Sequence, residues 1–171
     1  MELSGRRTIE APREEVWAAI LDPAVLKRCV PGCTEMTGNP DDGFEATVVQ
    51  KVGPVKATFK GNIVLAEMQA PERVRITGEG KGGAAGFAKG GADVTLSEDA
   101  NGTVLEYDVE AKVGGKLAQL GGRVIDGFAK KMADQFFTNF KNVVEGPAED
   151  DAPAEAPEAK KGWFGRGKAA S

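Results

Sequence analysis

GRVIDGFAKKMADQFFTNFKNVVE, residues 122 to 145, is the longest helical pattern in the chain, and what it packs against decides the fold. Its apolar residues Ile125, Phe128, Met132, Phe136, Phe140 and Val143 recur in steps of three or four and draw one stripe down a helix. Lys130, Lys131, Asp134 and Lys141 fall on other faces. Gly146-Pro147 is a stop signal, because glycine accepts the left-handed closing conformation and proline cannot continue the helix. At about 1.5 Å per residue such a helix is roughly 34 Å long. A stripe of that length and bulk requires a broad apolar surface opposite it.

The preceding sequence supplies one. Residues 2 to 10 alternate, with Leu3, Gly5, Arg7 and Ile9 on one side. Pro12, Glu14 and Glu15 then mark a helix start, the acids favouring the positive end of the dipole, and Val16, Trp17, Ile20 and Leu21 form its apolar face. Asp22-Pro23 opens a second short helix that stops before Pro31-Gly32. From Cys33 to Val113 the period is mostly two, broken by turn residues at 39–43, 53–54, 70–71 and 99–102. Short connections of this kind make antiparallel neighbours with one dry and one wet face. The expected fold is therefore α+β, a curved seven-stranded antiparallel sheet wrapped around a long C-terminal helix, with two short helices after the first strand. Gly5, Gly61, Gly78, Gly80, Gly90 and Gly91 lie inside strand patterns, where they are placed to supply the curvature.

Composition narrows the function. The chain has 171 residues, enough for one sizeable core, with 41% hydrophobic and 28% charged residues. A net charge of -4 argues against a nucleic-acid partner. There is no histidine, which removes the commonest general base and metal ligand, and Cys29 and Cys33 alone cannot close a zinc site. Gly78-Glu79-Gly80-Lys81-Gly82-Gly83 matches a dinucleotide-loop pattern but leads back into a strand rather than opening a helix. A glycine-rich hairpin beside an opening, Gly82 to Gly86, is the better reading. No acid pair, nucleophile–base pair or metal cluster emerges, and catalysis has no positive support. The inward polar groups Arg7, Gln50 and Tyr107 are either wet-tipped rim residues or hydrogen-bond partners for the head of a mainly apolar guest.

Three regions are expected. Residues 1–146 form the ligand-binding domain, and 147–159 an acidic Pro/Ala-rich linker of disordered composition. Residues 160–171 form a basic-aromatic tail, in which Lys160, Lys161, Arg166 and Lys168 surround Trp163 and Phe164, a pattern equally compatible with weak membrane contact and with docking on a protein. The N-terminus lacks the apolar core of a secretion signal, so a cytoplasmic location is expected.

PREEVWAAILDPAVLKRCVPGC (12–33), KVGPVKATFKGNI (51–63) and KVGGKLAQLGGRVIDGFAKKMADQFFTNF (112–140) resemble the carbon monoxide dehydrogenase G-subunit family, within the START and birch-pollen-allergen-like superfamily. The resemblance covers residues 1 to about 146 and implies a helix-grip fold over an apolar cavity. It further implies a non-enzymatic accessory protein with no covalent cofactor. Such a protein would bind a respiratory quinone, menaquinone or ubiquinone, and support electron transport. It would recruit a molybdenum-containing carbon monoxide dehydrogenase, or a related molybdenum hydroxylase, to the inner face of the cytoplasmic membrane. On this reading Trp17, Phe44, Phe59, Phe87, Tyr107, Leu117, Leu120, Phe128, Met132 and Phe136 line the cavity. A cyclase or hydrolase of the same fold, and a general lipid carrier, are the alternatives.

Overall fold

The computed structural model describes residues 1–146; the linker and tail expectations, including those on Lys160, Lys161, Trp163, Phe164, Arg166 and Lys168, lie outside the described residues. Strand β1 (Glu2–Ile9) leads into helices α1 (Arg13–Ile20) and α2 (Pro23–Cys29). Asp22 accepts a hydrogen bond from the amide of Ala24 at 2.9 Å, and Pro23 occupies the first helical positions, so α2 begins where the Asp-Pro pair predicts. Strands β2 (Cys33–Asn39), β3 (Gly43–Val52), β4 (Val55–Gln69), β5 (Arg73–Lys81), β6 (Phe87–Asp99) and β7 (Gly102–Gly114) follow, then α3 (Lys116–Gln119) and α4 (Gly122–Glu145). The short α3 is not signalled by the sequence pattern. Gly121 and Gly146 bracket α4 with φ of 89° and 81°, values that L side chains rarely adopt, so both helix ends are set by glycine.

All seven strands form one antiparallel sheet in the order β1-β7-β6-β5-β4-β3-β2. β1 crosses to β7, pairing Glu2 with Glu110 through to Ile9 with Thr103. At the centre of that pairing Gly5 faces Tyr107, whose ring occupies the space a Cβ would take. A side chain at position 5 would displace the tyrosine from the core, so the glycine serves close packing there.

The main core lies where α1, α2 and the C-terminal half of α4 close on β1, β5, β6 and β7, centred on Ile9, Val16, Cys29, Val74, Leu105 and Phe140. Thr103 is fully buried, and its hydroxyl donates to the carbonyl of Ala11 at 2.8 Å, tying β7 to the entry of α1. Asn139 on α4 donates to the carbonyl of Cys29, closing the end of α2. A second, smaller core joins Val52, Leu117 and Ile125 under the β3–β4 turn, with partly buried Phe59, Leu120 and Phe128 against it. Phe140 is fully buried within the main core, so Phe140→Ala is expected to destabilise the domain by about 3–5 kcal/mol in equilibrium denaturant unfolding. An effect near zero would show that α4 is not held by this contact.

Candidate functional site

The backbone of α4 runs beside β1 at one flank of the sheet and β3 towards the other, and makes no comparable approach to the central strands β4–β7. The helix backbone therefore lies closest to the sheet towards its flanks. Side chains pack between helix and sheet in two places, the main core around Phe137 and Phe140 and the smaller core around Ile125 and Leu117. Between them α4 presents Ala129, Met132 and Ala133, and the sheet presents Ala57, Gly61, Gly78, Gly80, Ala88 and Gly90, all only half-buried. No residue of β4 is fully buried along its whole length. Small residues at these inward positions bring little side-chain bulk towards the helix, and this half-buried band of small apolar residues is the candidate groove for a mainly apolar guest.

The expected lining residues divide over this geometry. Trp17, Tyr107 and Phe136 belong to the main core, and Phe59, Leu117, Leu120 and Phe128 to the smaller one, so these form the two end walls. Phe44 is buried on the inward row of β3, with 2% of its surface exposed. Met132 belongs to neither cluster and is half-buried on α4 between them in sequence. Phe87 does not line the groove. The alternation of β6 that turns Ala88, Gly90, Ala92 and Val94 inward puts Phe87 on the opposite row with Lys89, where it is 38% exposed and its ring covers Gly114. Gly82 sits directly against the Phe59 ring, placing the 82–86 turn beside the smaller end wall.

The most buried aromatic of the α4 centre, Phe137, lies off the stripe read from the sequence. Its ring stacks on Tyr107 at 5.1 Å between centroids, and the Arg7 guanidinium sits 4.9 Å over the same ring. Arg7 donates to the Tyr107 hydroxyl at 3.2 Å and to Asp134 of α4 at 2.8 Å. Burial pulls the guanidinium down, and the bonds to Asp134 and Tyr107 more than offset it, so Arg7 ends above its ordinary value. The bond from Arg7 holds the Asp134 carboxyl below the usual carboxylate range. The inward arginine thus clamps helix to sheet. Gln50 has a comparable local partner, donating its amide to the carbonyl of Pro31 and fastening the Pro31-Gly32 turn to β3. Alternation makes both residues candidates for a guest's polar head; in this state both are engaged within the protein.

No group of histidine, cysteine and carboxylate side chains among the described residues is arranged to hold a metal. Cys29 is buried, which raises its thiol, and Cys33 is half-buried; both are free. A separate hollow of about 780 Å³ lies on the outer face of the sheet, bordered by Asn62, Thr77, Glu79, Lys89, Glu110 and Lys112 among others. It is open and charged, and suits an apolar guest less well than the inner groove. Among the described residues no helix is long and apolar enough to cross a membrane.

Because Asp134 titrates below its unfolded value, the clamp contributes stability that is full above about pH 4 and is lost as pH falls through the lower folded value. Asp134→Asn is expected to flatten that acid limb of the stability–pH curve. An unchanged limb would show that the pair carries no linkage.

Residues 5–145 match the family model for the G component of carbon monoxide dehydrogenase (CoxG). No curated protein matches the chain. Among solved structures, a conserved protein from Geobacillus kaustophilus is similar at 27% identity and a TM-score of 0.79, over 85% of this chain and 95% of that one. A protein from Chromobacterium violaceum superposes with a TM-score of 0.62 at 20% identity, over 85% of this chain and 98% of its own. One from Thermus thermophilus gives 0.65 at 14% identity, over 87% and 100%. The last two likenesses bear on the fold alone.

Proposed function

Because the chain belongs to the carbon monoxide dehydrogenase CoxG family, matched over residues 5–145, we propose that it is an accessory protein of a carbon monoxide dehydrogenase or related molybdenum hydroxylase and binds a respiratory quinone in the inner groove. The observation that supports the ligand is the half-buried band outside the two cores, made of Ala129, Met132 and Ala133 on α4 and of small inward residues on the sheet. An isoprenoid quinone is flat, long and largely apolar. Its tail would fit among alanine, glycine and methionine surfaces, since a pocket of this kind gains affinity from apolar area and orientation from a few polar groups. Tyr107 of the main core and Arg7 bonded to it are inward polar groups of suitable type.

Side chains of the band are alanine and methionine, and none of these transfers a proton at ordinary pH; binding is favoured over a cyclase or hydrolase activity. A general lipid carrier would use the same groove and differs only in the guest. The basic-aromatic tail would recruit the assembly to the inner face of the cytoplasmic membrane, Lys160, Lys161, Arg166 and Lys168 meeting anionic headgroups and Trp163 and Phe164 the interface. Quinone held there would pass electrons from the dehydrogenase to the respiratory chain.

Organic-solvent extraction of the purified chain, followed by uptake of supplied menaquinone or ubiquinone, tests the guest. Ala88→Phe, which adds bulk to the inward row of β6 near the smaller core, is expected to lower quinone uptake at least tenfold while the thermal midpoint moves by only a few degrees. Uptake undiminished by that substitution would place the guest elsewhere.

A further inference from the structure

The β3–β4 turn, the β5–β6 turn, α3 and the start of α4 meet at one end of the domain, the end closed by the smaller core. Gly53 lies against Leu120 and Val124, and Gly86 against Gly115, so these segments form one continuous surface. Every ionisable side chain in residues 51–60, 81–89 and 112–124 is basic, in a chain whose net charge is -4. Lys51, Lys56, Lys81, Lys116 and Arg123 are exposed there. Among the described residues none of them is in an ion pair. The nearest acids along the chain are Glu79, Glu110 and Asp126, and Glu110 is committed to Arg75 at 2.7 Å. α4 begins at this end with no side-chain cap and no acid in its first turn, so its amide-rich terminus adds to the positive field.

Two large apolar side chains emerge among these charges, Phe87 at 38% and Val124 at 40% exposure, beside exposed Gly83 and Ala84. A positive field favours an anionic partner in general; exposed phenylalanine and valine between lysines favour one with an apolar layer just beneath its charge. An anionic lipid bilayer has that layering. A nucleic acid does not, and neither does an acidic protein surface of ordinary composition.

We propose that this end of the folded domain is itself a docking face for an anionic bilayer, separate from the tail, with Lys56, Lys81 and Lys116 on headgroups and Phe87 and Val124 at the acyl boundary. The inference deepens the quinone reading and rests on it for its purpose. The docked end is the one packed by the smaller core, in which only Val52, Leu117 and Ile125 are buried. Parting that core against lipid would let an apolar guest pass between bilayer and groove without crossing water.

The test uses the full chain with Trp163→Ser and Phe164→Ser, which remove the tail aromatics, and vesicles of phosphatidylglycerol with phosphatidylcholine or of phosphatidylcholine alone. Residual binding to the anionic vesicles is expected, with little to the neutral ones. Adding Lys56→Glu, Lys81→Glu and Lys116→Glu, all at exposed positions, should lower that binding at least tenfold with an unchanged thermal midpoint. Phe87→Trp in the same tail-altered chain should show a blue-shifted emission on anionic vesicles. Vesicle binding that survives the charge reversal overturns the proposal. So does an unshifted emission, and so does a reversal that weakens only co-purification of the dehydrogenase. Quinone uptake from detergent micelles, measured in parallel, reads the groove alone. A chain that loads quinone yet keeps its vesicle binding after charge reversal therefore loses only this inference.

Discussion

A single straight helix cannot fill a curved sheet. α4 meets the sheet towards its flanks, and the inward rows of β4, β5 and β6 approach it only through side chains. Where those side chains are bulky, at Phe137 and Phe140 or at Leu117 and Ile125, the space closes and a core forms. Where they are alanine and glycine no core forms and the residues stay half-buried. The groove thus follows from how residue size is distributed along strands whose backbone pairing is continuous. The same sheet with leucines at 78, 88 and 90 would have a solid interior and no site.

An arch of this kind needs its span held in place, and the Arg7–Asp134 bond does so beside the main core. It joins the first strand to the middle of the last helix, and the stacked Tyr107 and Phe137 rings lie against it. The pair is half exposed, and exposed ion pairs contribute little free energy on their own. Its value is positional: a bond between residues 127 positions apart ties the middle of α4 to β1 beside the main core. The basic end has no such bond among the described residues, and there the helix is held by apolar contact alone.

Most of the architecture is legible in the sequence because it rests on period and punctuation. Alternation marks the strands, Asp22-Pro23 the second helix, and Gly146 the end of α4. The features that escape are those that periodicity does not encode. Phe136 and Phe137 are adjacent, and the helix stripe favours the first; Phe137 is the more buried because Tyr107 and Arg7 arrive from β7 and β1 to cover it. Alternation turns Arg7 inward correctly, but its partner lies 127 positions away, beyond any local pattern. Phe87 has the size of a lining residue, yet its parity with Lys89 puts it on the outer row. The groove itself is readable only as small residues at inward positions, since no sequence signal states how far a helix will stand from a sheet.

The pairing of β1 with β7 has a consequence for how the molecule comes to exist. Glu2 finds Glu110 and Ile9 finds Thr103, so β1 has no partner in the sheet until about a hundred more residues have followed it. Chain closure across such separations is slow compared with hairpin formation, and the meander from β2 to β7 has only local pairings to make. During synthesis β1 must wait, half apolar, for a neighbour that is made only after β2 to β6. Assembly of the domain is then a late, nearly simultaneous event, in which β1 docks on β7 and α4 is laid across the finished sheet.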